Sequence, residues 1–375
     1  MLALDGLRGL SAVVVLLSHV FLTFPAFAAA VYATNVQMST GTLEWLVTYT
    51  PLHILWAGHE AVFVFFVLSG LVLTLPAIRS SGYSWRAYYP KRLIRLYMPV
   101  AGAVAFGVAM VLLVPRNNAT EMGAWLQARP AEVTWSGAIK DLILVMGPSR
   151  LISPLWSLQW EMLFSLLLPL YVIFATVRFG SVWLKVALTF ASICLGVVFN
   201  SQFLTYMAMF AAGSLLAKEI DQIRRATTRL KATHWWLLGG MALVLATARW
   251  TLTLFAPNDF ASNLSTIPAF LGCLLLVIIS AFCPGTQRLF QSAPLQWLGK
   301  VSFSLYLTHE PIVIATAFFF GRNNLGLVPL VAIPVAFAVA LLFFKFIEAP
   351  SHALSVYAGN RFKPRTSESV PLEAS

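Results

Sequence analysis

Arg8 and His19 lie eleven residues apart in the first apolar segment of the chain, LDGLRGLSAVVVLLSHVFLTF. An α-helix turns about 100° and rises about 1.5 Å per residue, so both side chains would share nearly one face, about 16 Å apart. Ionisable groups inside a membrane are costly and usually face a polar interior or cavity. A histidine with a cation on its own face is suited to taking a proton from a hydroxyl while the developing negative charge is stabilised. Asp5, three residues before Arg8, can pair with it on the helix.

A basic cluster lies at the start of another apolar segment, in the sequence KRLIRLYMP. Its cations Lys91, Arg92 and Arg95 fall within about one helical turn. Such a cluster can bind phosphate groups, which arginine grips with two parallel hydrogen bonds. It can equally serve only to orient the protein in the membrane, and the sequence leaves both interpretations open.

Further polar residues interrupt otherwise apolar segments. Glu161 in PLWSLQWEMLF needs a partner, and a structural ion pair and a catalytic role are both open. Ser69, directly before Gly70, fits close helix packing better than chemistry. Tyr306 and His309 lie in SFSLYLTHEP, where His309 is a second titratable group at membrane depth.

Several familiar kinds of site are not indicated. The sequence has no nucleotide-binding loop, no metalloprotease helix motif and no serine nucleophile elbow. Its three cysteines, Cys194, Cys273 and Cys283, all lie in apolar runs without metal-ligand spacing, so we predict neither a metal site nor a disulfide. The net charge of +11 does not indicate nucleic-acid binding, because the basic residues fall between apolar segments.

The composition is that of a membrane protein: 59% of the residues are hydrophobic and 10% are charged, against about 25% charged in soluble proteins. We predict an all-α polytopic membrane protein with about ten transmembrane helices. The apolar segments run over 7–30, 54–77, 96–115, 155–177, 183–199, 202–217, 234–255, 264–283, 301–320 and 326–348.

The distribution of lysine and arginine predicts that both termini are cytoplasmic. With the N-terminus inside, the cytoplasmic segments hold sixteen basic residues and the outer segments five, which are Arg116, Arg129, Lys140, Arg150 and Arg322. The long outer stretch 116–154 is predicted to form an interfacial helix or a lid. We expect one membrane domain over residues 1–357 and a polar, disordered cytoplasmic tail over 358–375.

Six motifs in register resemble the acyltransferase-3 family of integral membrane acyltransferases, which includes O-antigen and exopolysaccharide O-acetylases. They are LDGLRG with Arg8 and His19, FVFFVLSGLVL, KRLIRLYMP, PLWSLQWEMLF, SFSLYLTHEP and FIEAPSHAL, and they extend from about Leu4 to Leu354. The chain departs from the family's usual pattern at Leu71, where an aromatic residue is common, and at Ala349, where a basic residue is common.

The resemblance implies a multi-pass enzyme of the cell (plasma or inner) membrane that transfers an acyl group, commonly acetyl, from acyl-CoA to a hydroxyl. No tightly bound cofactor is implied, and the acceptor would be a carbohydrate, a glycolipid or another small hydroxylated molecule. The resemblance gives His19 the role of the catalytic histidine with Arg8 as its partner, places Arg92 and Arg95 near the CoA phosphates, and puts Glu161 at the family's acidic position. From the residues themselves we expect His19 to act as general base with Arg8 and Glu161, and Lys91 to join Arg92 and Arg95 in donor binding. The residues expected to support the site are Asp5, Ser69, Tyr306 and His309.

A proton-coupled secondary transporter is the main alternative, because His19, Glu161 and His309 could form a proton relay. Against it, the sequence has no pair of interrupted apolar segments in corresponding halves, which is typical of such transporters. A purely structural membrane protein would not explain so many titratable residues within apolar segments.

Overall fold

The computed structural model describes residues 1–32, 40–117, 122–178, 180–255 and 263–362. The described residues form helices and connecting turns without any strand, which confirms the predicted all-α class. The helices are α1 (Leu2–Phe21), α2 (Pro25–Tyr32), α3 (Leu43–Tyr49), α4 (Gly58–Arg79), α5 (Trp85–Leu113), α6 (Ala124–Gln127), α7 (Trp135–Ile143), α8 (Leu155–Thr176), α9 (Val182–Val198), α10 (Gln202–Thr227), α11 (Ala232–Ala246), α12 (Ala248–Thr253), α13 (Thr266–Phe282), α14 (Pro284–Phe290), α15 (Ala293–Phe320), α16 (Val328–Phe343) and α17 (Ala349–Arg361).

The polytopic character is also confirmed. Within the described residues, six helices (α1, α4, α5, α8, α10 and α15) and the helical stretch Arg322–Arg361 are long and apolar enough to cross a membrane. The helices α13 and α14 form a pair bent by 86°, and α9 and α11 are shorter apolar helices. Each of the ten predicted segments overlaps one of these elements. The number of ten crossings and the cytoplasmic position of both termini stay predictions, and the tail beyond residue 362 lies outside the described residues.

Several predicted segments have different limits in the structure: 202–217 continues to Thr227, 234–255 is helical over Ala232–Ala246 and again over Ala248–Thr253, and 301–320 begins at Ala293. Two further segments, the first and the third of the ten, differ for a clear local reason. The first, predicted over 7–30, is two helices, because Pro25 has no backbone N–H to continue α1 and instead begins α2. The third, predicted to start at residue 96, begins at Trp85, where the Ser84 side chain accepts a hydrogen bond from the backbone N–H of Ala87. The basic cluster is therefore held on a regular helix.

Glycine contacts bring the central helices close together. A side chain at Gly9 of α1 would collide with the backbone of Leu298 and Gly299 in α15. A side chain at Gly70 of α4 would collide in the same way with the backbone of α10 at Phe210. Membrane helices pack closely where small residues face each other. These crossings join α1, α4, α10 and α15 into a central bundle. The polar residues of α1 and α15 lie inside this bundle.

Candidate active site

Two cavities lie along α1 and share Tyr306 as a common wall residue. The first, which we call the arginine cavity, lies at the N-terminal end of α1 and has a volume of about 240 Å³. The second, the histidine cavity, lies at the other end of α1 and has a volume of about 410 Å³. The arginine cavity is lined by charged residues, which are Asp5, Arg8, Arg92, Arg95, Glu161 and Glu348. The histidine cavity is lined by His19, His53, His59, Glu60, Trp125, Arg129, Arg150 and Arg249 among others.

His19 and His309 form a directly hydrogen-bonded pair. Nδ1 of His19 lies 2.8 Å from Nε2 of His309, and the two rings stack at 4.9 Å. Nδ1 of His309 lies 2.8 Å from the backbone oxygen of Leu305. A carbonyl oxygen only accepts, so Nδ1 of His309 must carry its proton and, in the neutral ring, Nε2 must accept. Nδ1 of His19 is then the donor, and Nε2 of His19 keeps the lone pair that a general base needs.

The loop between α5 and α8 completes the histidine cavity around this pair. The Trp125 indole stacks on the His19 ring at 5.3 Å and carries the Arg129 guanidinium 4.5 Å from its own centroid. Arg129 pairs with Glu310, Nη1 to Oε1, at 3.3 Å, and their side chains are only 5% and 0% exposed. Ser153 donates to Glu310 through its backbone N–H and its hydroxyl. This loop, predicted to be an interfacial helix or a lid, is thus attached to α15 next to His309 and lines the cavity.

The opposite wall of the histidine cavity is aromatic and partly charged. The His53 ring stacks on Trp250 with 4.4 Å between centroids and lies 4.4 Å from Trp56. Burial, with the positive charge of Arg249, lowers the pKa of His53 well below its usual value, so this ring is neutral. Glu60, at the start of α4, is buried in the same wall.

Hydrogen bonds and an ion pair fasten Arg8 at the other end of α1. Its Nε donates to the Ser302 hydroxyl at 3.1 Å, and its Nη2 donates to the backbone oxygen of Gly299 at 3.0 Å. The predicted pairing with Asp5 is present at 3.4 Å. Arg8 therefore connects α1 to α15 at the arginine cavity, whereas His19 lines the histidine cavity.

Glu161 has its partner in the basic cluster. It forms an ion pair with Arg92, and the Ser69 hydroxyl donates to it at 3.3 Å. Arg92 also donates from Nε to the Ser165 hydroxyl at 2.9 Å. The structure thus brings Glu161, Arg92 and Ser69 together in the arginine cavity and away from His19.

The remaining residues of the basic cluster differ in their surroundings. Arg95 lines the arginine cavity, and within the described residues it makes no hydrogen bond or close ion pair. Glu348, in a π-helical turn (Phe344–Glu348), lines the same cavity and accepts from the Ser304 hydroxyl at 2.5 Å. Lys91 instead packs its side chain against Gly359 of α17.

Three residues of the histidine cavity and its surroundings were missed by the sequence reasoning. Trp125 and Arg129 lie on the loop between α5 and α8, where the sequence reasoning counted Arg129 only as a charge that reports orientation. Glu310 directly follows His309, so a second charged residue in that apolar segment was the available signal. The 290-residue separation of His19 and His309 gives no signal of their contact in a single sequence.

The fold and its polar interior define a polytopic membrane protein whose central helices carry titratable groups. The sequence model of the Acyltransferase domain family matches residues 1–345, and the chain belongs to this family. It is similar to Acyltransferase MdmB of Streptomyces mycarofaciens, with 29% identity over 318 residues that cover 76% of each protein. No solved structure matches the chain. The resemblance seen in the motifs is therefore confirmed, and the protein is an acyltransferase.

Proposed function

We propose that this protein is a membrane O-acyltransferase that moves an acyl group, which we take to be acetyl, from acyl-CoA to a hydroxyl of a carbohydrate or other cell-envelope acceptor. It acts in the cell (plasma or inner) membrane with both termini in the cytoplasm. The observation that carries this proposal is the hydrogen-bonded chain from Leu305 through His309 to His19, which leaves a basic nitrogen on a ring that lines a cavity.

The donor side of the proposed reaction is the arginine cavity. Its cation Arg95 makes no hydrogen bond or close ion pair among the described residues, so its N–H groups are available to a phosphate group of acyl-CoA. Arg92 and Lys91 add positive charge nearby, and Glu161 holds Arg92 in place. Arg8 stands at the same end of α1, which the predicted orientation makes the cytoplasmic end. Acyl-CoA is made in the cytoplasm, so this orientation brings the charged donor to the cations.

The acceptor side is the histidine cavity. Its aromatic wall of Trp56 and Trp250 suits the apolar face of a sugar ring, and aromatic side chains with nearby polar groups commonly orient such ligands. His53 lines the same cavity and adds a polar side chain to its aromatic wall. The pantetheine arm of the donor passes Tyr306, which lines both cavities, and carries the thioester to His19.

The transfer needs one base and regenerates it. Nε2 of His19 takes the proton of the acceptor hydroxyl while the hydroxyl oxygen attacks the thioester carbon. The carbon–sulfur bond then breaks, and the leaving CoA thiolate takes the proton from the His19 imidazolium. The products are an O-acyl ester and free CoA, and His19 returns to its starting tautomer because His309 still accepts from its Nδ1.

The proposal is tested with purified protein in proteoliposomes, isotopically labelled acetyl-CoA and a glycan and lipid extract of cells that lack the protein. Mass spectrometry should find a product carrying the labelled acetyl group, and His19→Ala should abolish it while the protein stays folded and inserted. His234→Ala is the matched control, because His234 is exposed near the start of α11 and, within the described part of the chain, its side chain bonds only the backbone N–H of Lys231. Turnover of His19→Ala at the wild-type rate would overturn the role of His19.

A further inference from the structure

Arg129 has a buried hydrogen-bond donor that the fold leaves unused. The residue is only 7% exposed and lines the histidine cavity, yet its Nε–H has no hydrogen-bond partner among the described residues. A buried polar group without a partner is costly and rare in native proteins, so it calls for an explanation, and a catalytic role is one of those known.

The known contacts of Arg129 account for other parts of its side chain. Nη1 pairs with Glu310 at 3.3 Å, and the face of the guanidinium rests on Trp125 at 4.5 Å. Glu310 in turn is held by Ser153. These contacts fix the position of the guanidinium without using Nε–H, so a structural role as an ion pair explains only part of the arrangement.

The Arg129 guanidinium and the proposed base His19 contact the same tryptophan. Trp125 touches both groups, since its indole stacks on the His19 ring at 5.3 Å and also carries the Arg129 guanidinium. His19 and Arg129 line the same cavity. A group that reacts at His19 therefore lies near a positively charged donor that the ion pair with Glu310 and the Trp125 ring hold in place, and such a preorganised donor stabilises developing negative charge.

We propose that Arg129 is a further catalytic residue, whose Nε–H donates a hydrogen bond to the carbonyl oxygen of the thioester as that oxygen becomes an oxyanion. This inference rests on the proposed function. When the acceptor oxygen attacks the thioester carbon, the electron pair of the C=O bond moves onto oxygen, and Arg129 holds that charge. When the carbonyl re-forms, the C–S bond breaks, CoA leaves as described above, and Arg129 keeps all its protons throughout.

The test compares Arg129→Lys with Arg116→Lys. Lysine keeps the positive charge opposite Glu310 but has no N–H at the Nε position. Arg116 is the matched control, because it is buried on the same loop and its Nη1 donates to Pro130 O at 2.7 Å, away from the cavity lining. Loss of one oxyanion donor lowers kcat by about 10²–10³-fold. We expect this loss in Arg129→Lys with little change in KM for acetyl-CoA, and near wild-type kcat in Arg116→Lys.

A second substrate separates catalysis from structure. In the dithioester analogue of acetyl-CoA, sulfur replaces the carbonyl oxygen and accepts hydrogen bonds only weakly. The wild-type protein should use it much more slowly than acetyl-CoA, and Arg129→Lys should narrow that ratio by about 10-fold or more. A ratio that stays at the wild-type value, or an Arg129→Lys variant with wild-type kcat, overturns the proposal.

The experiments distinguish failure of the proposed function from failure of the role of Arg129. If the wild-type protein transfers no acyl group, or if His19→Ala is fully active, the proposed function fails before Arg129 is tested. If Arg129→Lys does not fold, Arg129→Gln is measured in the same way. The ratio of the wild-type rates with acetyl-CoA and with its dithioester analogue is then still informative. Equal wild-type rates with the two donors would show that no oxyanion donor acts and would overturn the proposal.

Discussion

Replacing His309 by phenylalanine tests the hydrogen-bonded chain that makes His19 a base. Phenylalanine keeps a flat ring in the stack, which places the two rings 4.9 Å apart and nearly parallel. It removes the Nε2 acceptor that lies 2.8 Å from Nδ1 of His19. The proton of neutral His19 can then move from Nδ1 to Nε2. Nε2 is the nitrogen that must take the proton from the hydroxyl of the acceptor substrate.

The size of the effect follows from that single hydrogen bond. A neutral hydrogen bond contributes about 0.5–1.5 kcal/mol, which corresponds to about a 2- to 13-fold preference for the productive tautomer. The bond lies in a low-dielectric interior, which favours the upper end of the range. Loss of this preference still leaves a fraction of His19 in the productive tautomer, so we expect kcat to fall about 2- to 10-fold in His309→Phe. This is less than the loss in His19→Ala, because a general base contributes about 10²–10⁴-fold.

The assay is steady-state transfer of labelled acetyl from acetyl-CoA, with kcat and both KM values measured for each variant. His309→Gln is the informative companion, because its amide oxygen can still accept from Nδ1 of His19. It should retain more activity than His309→Phe, and thermal unfolding in detergent should be similar for the two. Equal activity of the two variants, or a His309→Phe variant with wild-type kcat, would refute the proposed tautomer.

Three further perturbations follow from the packing and the cavities. Tyr306→Phe removes a hydroxyl that bonds Ser157 at 2.6 Å in the wall between the cavities. Hydrolysis of acetyl-CoA without acceptor, measured by thiol release, should then rise relative to acyl transfer. An unchanged ratio of hydrolysis to transfer would contradict a role of Tyr306 in that wall. Gly9→Ala should lower the free energy of unfolding by about 1–3 kcal/mol, because its methyl group would collide with α15, whereas Gly240→Ala, in open space on α11, should not destabilise the protein in the same denaturation experiment. Arg95→Ala should weaken binding of CoA by about 10-fold or more in calorimetric titration. Lys91→Ala should weaken it less, because the Lys91 side chain packs on α17. A larger loss of CoA affinity in Lys91→Ala than in Arg95→Ala would contradict the place of Arg95 in the donor site.

Local patterns were sufficient for the helices and for the residues of α1. The spacing of Arg8 and His19 indicated one face of one helix, and the structure gives them an unbroken helix with a different cavity at each end. The three-residue spacing of Asp5 and Arg8 predicted their ion pair. Periodicity and charge within one segment carry this information, because all the relevant geometry is that of a single helix.

Contacts between distant segments could not be read in the same way. Glu161 needed a partner, but only the crossing of α5 and α8 brings Arg92 to it. Arg129 had the sequence context of an ordinary loop charge, and its burial depends on how the outer loop folds back onto Glu310. The limits of α1 and α2 depended on Pro25, whose missing N–H outweighed the continuous apolar pattern.

The most direct test of the account is a cryo-EM structure of the protein with a non-transferable ketone analogue of acetyl-CoA, in which a methylene group separates the sulfur from the carbonyl carbon. The account predicts the diphosphate in the arginine cavity against Arg95, the pantetheine arm past Tyr306, and the acyl carbonyl oxygen within hydrogen-bond distance of Nε of Arg129. The acyl carbon should leave room for an acceptor oxygen about 3–3.5 Å away, within reach of Nε2 of His19. A diphosphate bound in the histidine cavity, or an acyl group that stays in the arginine cavity, would contradict it.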